Sequence, residues 1–498
     1  MSLRAPKPPA RAERVTLWRY LRLFRQDILS AQPARLYRAW MAEFRTPFFR
    51  SYLCNDPALV DLVLRERPED FPKSARIREG LRPLLGNSVF LTNGETWRRQ
   101  RRIIDPAFEG GRLRDSFAAM AAAGQGAVAR LAARADGQSL DIEEETSHVA
   151  ADVIFRTLFS IPIGHDIARQ VFAAFRAHQR AQPVLNLGAF LPLPRWFPRF
   201  HRPQARATAA RIRRLITRLT EARMAEIAAG GAPDDLATKI MTTADPETGR
   251  RFDTEEMVDQ VAIFFLAGHE TSASALAWAL ALLALDPDWQ ERVAAEAAAV
   301  FGPAGPVFAD MGRLRVARDV FRETLRLYPP VPMMVREARR PECLRGRAVR
   351  AGSQIVLSPW HLHRHERLWE RPDEFDPARF ESANGRACLR NAYIPFSAGP
   401  RVCTGAGFAM IEGPLILAML VRAFRIAPDP AHPPMPVAHL TVRGRDGIRL
   451  RLTPRDAPKD AAPARPACAG CGEHGGQGEH GEHGEHGQHG AARPGAGG

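Results

Sequence analysis

Residues 396–405 read Phe396-Ser397-Ala398-Gly399-Pro400-Arg401-Val402-Cys403-Thr404-Gly405. A cysteine between glycines follows a loop and precedes an apolar helix predicted to start near Gly405. Free N–H groups at a helix start stabilise a thiolate. Gly399 and Gly405 let backbone come close to something flat and bulky, and Arg401 supplies a cation for a nearby anionic group. This is the environment a thiolate metal ligand needs. Spacing alone leaves a buried, inert cysteine as the other reading.

Working outward, residues 257–285, MVDQVAIFFLAGHETSASALAWALALLAL, are almost all apolar. Asp259 near the start, and His269 and Glu270 at the middle, would be expensive to bury in lipid. A long helix through the core of a large soluble domain fits better. Asp253 followed by Glu256 predicts a capping box at its start, and Asp286-Pro287 ends it. Such a helix spans about 48 Å, enough to cross a domain. Glu323 and Arg326 lie three apart on a helix predicted over 313–327, hence on one face. Pro377-Ala378-Arg379-Phe380 and Trp97-Arg98-Arg99-Gln100-Arg101 are further short clusters.

Taken together these segments resemble the cytochromes P450. Phe396, Gly399, Arg401, Cys403 and Gly405 match the family's F-x-x-G-x-R-x-C-x-G loop. Glu323-Thr324-Leu325-Arg326 matches E-x-x-R, and Ala267-Gly268-His269-Glu270-Thr271 matches [AG]-G-x-[DE]-T. Arg379 falls in P-x-R-F, and Trp97 and Arg101 in W-x-x-x-R. The resemblance covers about residues 45–455, and five motifs in order are far more specific than any one alone.

The resemblance implies a mainly α fold with small β-sheets, the haem lying between the long central helix and the Cys-loop helix. It implies haem b (iron protoporphyrin IX) with Cys403 as axial thiolate, which pushes electron density toward O–O cleavage. Trp97, Arg101, Arg336 and Arg401 would meet the two propionates, with His363 more a structural histidine than a fifth partner. Ala267 and Gly268 would border a groove for O2, and Glu270 and Thr271 would relay protons. Thr271 can also bond back to the carbonyl of residue 267. Glu323, Arg326 and Arg379 would form a buried ion network holding the Cys403 loop.

The implied activity is a monooxygenase placing one oxygen atom of O2 in an apolar substrate of the fatty acid, terpenoid or carotenoid class. Residues 184–200, VLNLGAFLPLPRWFPRF, suit a greasy lid. NAD(P)H would supply electrons indirectly, through a separate ferredoxin or flavodoxin with its reductase. Cys468-x-x-Cys471 has too few thiolates for a four-thiolate cluster. Two rivals are an H2O2-using peroxygenase, disfavoured by the intact Glu270-Thr271 pair, and a non-catalytic haem- or metal-binding protein.

Composition agrees with a globular enzyme. Of 498 residues, 45% are hydrophobic and 25% charged, which excludes a wholly disordered chain, a collagen-like fibre and a disulfide-dense miniature. Lys and Arg number 70 against 55 acidic residues, a formal charge of +15. Charge alone does not choose among nucleic acid, anionic lipid and an acidic protein. With Arg98, Arg99, Arg101 and Arg102 on the helix that borders the thiolate side in this family, an acidic redox partner uses the charge without nucleic acid. Six cysteines in a chain this long make no disulfide framework, so a reducing cytoplasm is expected. Residues 15–28 are amphipathic: Val15, Trp18, Leu21 and Ile28 alternate with Arg14, Arg19, Arg22 and Arg25. They pack on their own domain or, in the sharper reading, make peripheral contact with an anionic membrane.

Three segments follow: a flexible, Pro- and Arg-rich terminus over 1–13, the P450 domain over 14–455, and a tail over 456–498. That Gly/His/Glu-rich tail carries five of the 15 histidines. It cannot bury a core and is expected to be disordered, with divalent metal binding as an alternative to a neutral tail. Helices are predicted over 57–66, 95–103, 112–134, 143–159, 166–181, 203–229, 253–285, 287–301, 313–327 and 405–422. Strands are predicted over 48–54 and 353–358, with a hairpin over 440–452 turning at Asp446-Gly447.

Overall fold

The computed structural model describes residues 3–45, 50–181 and 203–455. Its longer helices are α1 (Leu17–Gln26), α2 (Ala75–Leu85), α3 (Gly94–Ile104), α4 (Phe117–Ala132), α5 (Ile142–Phe159), α6 (Asp166–Ala181), α7 (Pro203–Ala228), α8 (Thr254–Leu285), α9 (Pro287–Val300), α10 (Arg315–Leu327) and α11 (Ala406–Ala423). The strands are β1 (Met41–Arg45), β2 (Arg50–Cys54), β3 (Ser139–Asp141), β4 (Met334–Glu337), β5 (Glu342–Leu344), β6 (Arg347–Val349), β7 (Gln354–Leu357), β8 (Phe424–Pro428), β9 (Pro436–Ala438), β10 (Val442–Gly444) and β11 (Arg449–Pro454). The lid candidate over 184–200 and the tail over 456–498 lie outside the described residues.

α8 is set at its start by the capping box. Asp253 accepts from the Glu256 N–H at 2.8 Å, and the Glu256 carboxylate accepts from the Asp253 N–H at 3.2 Å. These bonds satisfy N–H groups that the first turn leaves without partners. At the far end Asp286 caps the next helix by accepting from the Trp289 N–H, with Pro287 at its first position. α8 packs against α5, α7, α10 and α11. Two of its buried polar residues are paired: His269 bonds Ser147 at 2.7 Å, and the Asp259 carboxylate accepts from Arg213 at 2.6 Å. Among the described residues α11 is the one helix long and apolar enough to cross a membrane, and most of it lies inside the domain.

The larger sheet has the order β1-β2-β7-β4. β2 runs parallel to β7, Ser51 facing Gln354, and β4 closes antiparallel on β7, Arg336 facing Ile355. This register puts Arg336 on a strand at the sheet's edge. The three-stranded sheet β3-β11-β8 is antiparallel.

The hairpin expected over 440–452 is not formed. β10 pairs with β9, while β11 pairs with β8 and β3. The chain does turn at Gly447, where φ is 77°. A side chain there would collide with the Asp141 carboxylate, so the glycine serves close packing between two different sheets. Residues 3–11, expected to be mobile, are packed. Ala5 is buried, its N–H donates to the Asp373 carbonyl, and the Phe375 N–H donates to the Leu3 carbonyl. Lys7 pairs with Asp373 at 2.5 Å, and Tyr328 donates to the Pro6 carbonyl.

Candidate active site

The Cys403 loop is held from both ends. The Cys403 N–H donates to the Phe396 carbonyl at 2.9 Å, and the Ala406 N–H returns to the Cys403 carbonyl. Gly399 adopts φ +67°, and any side chain there would collide with the Leu64 carbonyl. Ser397 is also left-handed, at φ 65°, a conformation a non-glycine residue holds only when its surroundings impose it. Cys403 is exposed, yet burial raises its thiol pKa. Both hold when a sulfur enclosed by protein looks into a cavity. The Gly405 N–H and the Arg101 charge pull the other way and favour the thiolate.

α8 opens on one stripe only. From Met257 to Ala284 every residue is buried except Phe264, Ala267, Gly268 and Thr271. Their spacing of three and four residues is that of a single helical face, so this face borders open space. Thr271 donates its hydroxyl to the Ala267 carbonyl at 2.6 Å, the local bond anticipated from sequence. Gly268 differs from expectation. A side chain there would strike Ile154 of α5, so its bare Cα serves helix packing at the edge of the stripe. α8 and the Cys403 helix meet close by. Phe108 meets Phe264 in a tilted contact and Phe408 edge-to-face, and Ser272 donates to Glu412 of α11 at 3.0 Å.

Glu270 points away from the stripe. It is buried, accepts from Gln179 of α6, and lies 3.5 Å from both Thr441 and Arg443. Burial pushes its carboxyl pKa up, and Arg443 pulls it back.

Trp97 gathers the cations. Arg401, Lys73 and Arg101 stand 5.1, 5.7 and 5.8 Å from its ring centroid. Lys73 pairs by its backbone with Arg336. Arg101 is already engaged, with Asp105 at 2.7 Å and the Val402 carbonyl at 2.9 Å; it grips the cysteine loop. The others lack a close carboxylate among the described residues. Arg336 has its buried Nε unpartnered, and Arg401 its Nε and Nη2, Glu69 standing 3.9 Å off. Burial, then Arg401, pulls the Arg336 pKa down to about 10. Burial, then Arg336, Arg401 and Arg101, holds Lys73 well below the usual lysine range. Lys73 carries no motif and was missed in the sequence. It stands out only through its burial beside these cations.

The Glu323 cluster is the opposite case. Arg326 is bidentate to Glu323, both bonds 2.7 Å, and Arg379 reaches the same carboxylate at 3.1 Å. The remaining Arg326 N–H groups go to the carbonyls of His363, Pro372 and Glu374. His363 belongs here too, its Nε2 accepting from the Ile394 N–H. The arginines expected to face a partner are mostly tied down. Arg99 pairs with Glu256 at 2.6 Å and Arg102 with the buried Asp245 at 2.6 Å; Arg98 alone stays half-exposed, beside Glu69 and Glu95.

The donor set fits an iron porphyrin. One accessible thiolate candidate faces open space, and a group of underpartnered cations waits nearby for anions. Among the described residues no cluster of three or more His, Cys, Asp or Glu could hold a metal ion, so the sulfur would be the protein's single ligand.

Known proteins agree with this geometry. The family model for cytochrome P450 matches residues 44–450. The chain is similar to cyclooctat-9-en-7-ol 5-monooxygenase of Streptomyces melanosporofaciens, 33% identical, covering 78% of this chain and 83% of the relative. It is also similar to a cytokinin hydroxylase of Arabidopsis thaliana, 29% identical, covering 84% and 83%. The crystal structure of the cytochrome P450DA haem domain superposes with a TM-score of 0.73 at 25% identity, over 91% of this chain and 96% of that one. With cysteine loop, open helix stripe and cation cluster in one fold, and that fold matched over 91% of the chain, the chain belongs to the cytochrome P450 family and is a haem-dependent monooxygenase.

Proposed function

We propose that Cys403 Sγ would ligate the iron of haem b and that Trp97, Lys73, Arg336 and Arg401 would hold its propionates. The single observation that carries this is the pairing of an accessible cysteine with one open stripe on an otherwise buried helix. When bound, the haem supplies activation of O2, so that RH, O2, two electrons and two protons give ROH and water. The protein's own residues do the rest. Arg101 fixes the Val402 carbonyl next to the sulfur. Phe264 and Ala267 exclude water on the apolar side. Thr271 can turn its hydroxyl from the Ala267 carbonyl to hold a proton toward the open stripe, and Glu270 resupplies that proton from the next position on the helix.

The substrate is an apolar molecule of the fatty acid, terpenoid or carotenoid class. Electrons come from NAD(P)H through a separate acidic ferredoxin or flavodoxin, docking in the cytoplasm near Arg98 and the exposed Val402. Reduction of the purified protein under CO tests the ligand: Cys403→Ser must lose the thiolate Soret band, and a retained band removes Cys403. Thr271→Ala should raise peroxide released per NAD(P)H consumed, and unchanged coupling removes Thr271. General acid–base help of about 10²–10⁴-fold is the upper limit, since water can substitute.

A peripheral membrane contact is favoured by one observation. Trp18 on α1 is 76% exposed, beside exposed Arg19, Arg22 and Arg25, which have no carboxylate partner among the described residues. Such a helix suits an anionic bilayer surface. Co-sedimentation with anionic but not zwitterionic vesicles, lost in Trp18→Ala, is the expected result.

A further inference from the structure

Glu270 is a buried acid with one ion-pair partner among the described residues, and that partner reaches water. Arg443 on β10 places Nη2 3.5 Å from Glu270 Oε1, and its side chain is 42% exposed against 4% for the glutamate. Its Nε donates to Thr441 Oγ1 at 3.3 Å, and Thr441 lies 3.5 Å from the other carboxylate oxygen. A polar spoke therefore runs from the surface through Arg443 and Thr441 to the helix residue that precedes Thr271. The remaining neighbour is neutral Gln179 from α6. On the α5 side His269 bonds Ser147, and burial holds its pKa down at about 3, so it brings no charge. Arg176 of α6 is paired with Glu144. Arg443 also faces Glu143 of α5, whose carboxyl burial pushes up to about 7 and which accepts from the Gly444 N–H, and His439, which burial pulls down.

Burial alone would keep a carboxyl protonated and unable to exchange; a cation within about 4–6 Å restores the ionised form. A guanidinium cannot itself give up the proton, but Arg443 reaches the surface where the buried carboxylate does not, and the Thr441 hydroxyl between them can pass one. We propose that Arg443 is a positioning residue for proton delivery, keeping Glu270 exchangeable with water by way of β10 rather than through the substrate side. This rests on the reading above that Glu270 resupplies Thr271.

Infrared titration of the haem-loaded ferric enzyme separates the two. The protonated carboxyl band lost in Glu270→Gln belongs to Glu270. In Arg443→Gln its midpoint should move up by about one unit, a tenfold change in the ratio of the two forms, and Arg443→Lys should restore most of it. The inflection of coupled turnover against pH should move with the band. An unmoved band overturns the positioning role whatever turnover does. A moved band with an unmoved coupling profile overturns the link to proton delivery while leaving haem ligation and monooxygenation standing.

Discussion

This molecule holds two buried charge clusters, and they are built differently. Around Glu323 the charges close: one carboxylate meets two guanidinium groups, and the leftover N–H groups of Arg326 find three carbonyls. Around Trp97 they do not: Lys73, Arg336 and Arg401 repel one another, with buried N–H groups unpartnered. A closed cluster is a part of the scaffold. An open cluster of one sign is costly to fold and persists where an outside group of the opposite sign completes it. The contrast is the ground on which we propose the open cluster as the anion-binding edge of the cofactor site.

The largest expected effect breaks the closed cluster. Glu323→Ala leaves Arg326 and Arg379 buried without an anion, a cost of about 3–5 kcal/mol. Denaturant unfolding of the haem-free protein should show it, and a loss under 1 kcal/mol would mean the backbone carbonyls alone satisfy the pair. The open cluster should respond with opposite signs. Lys73→Met keeps most of the length of the side chain and removes a repelled charge, together with its bond to the Val89 carbonyl at 2.6 Å. The haem-free protein should therefore melt at the same temperature or higher, while haem affinity falls about tenfold or more, the worth of one charged hydrogen bond. A drop in both would make Lys73 a scaffold residue.

The smallest effect is in protons. Lys73 is depressed in the folded, haem-free protein, so between its folded and unfolded pKa values the unfolded chain binds more protons. Stability should then rise with pH toward the ordinary lysine value of about 10.4. Lys73→Met should flatten that slope. Propionates would restore the charge, so haem binding at mildly alkaline pH should take up protons, read by calorimetry in buffers of different ionisation enthalpy. Proton release would contradict this.

Much of this was legible in the chain because it is local. The Cys403 loop, the Glu323–Arg326 pair and the α8 capping box are each written within ten residues. What failed depended on distant partners. Arg99 and Arg102 read as a charged surface face, but Glu256 and Asp245 lie far along the chain. Alternation over 440–452 signals strands but names no partner, and the two halves joined different sheets. α2 was missed because it contains Pro83 and many polar residues. The terminal segment over 3–11 looked like a mobile leader by composition, but backbone bonds to residues 373–375 hold it. Lys73, in the unremarkable run Phe71-Pro72-Lys73, carries its meaning only beside Arg336 and Arg401.

The central claim, that the open cluster is completed by two carboxylates of the cofactor, is tested most directly by binding haem b and its dimethyl ester to the haem-free protein. The ester keeps the iron and the ring but carries no carboxylate charge for the cations to pair with in charge-assisted bonds. With each such bond worth about 1.5–3 kcal/mol, the ester should bind at least about 100-fold more weakly, with the gap narrowed in Lys73→Met. Equal affinity for the two, in wild type and variant alike, would contradict the account.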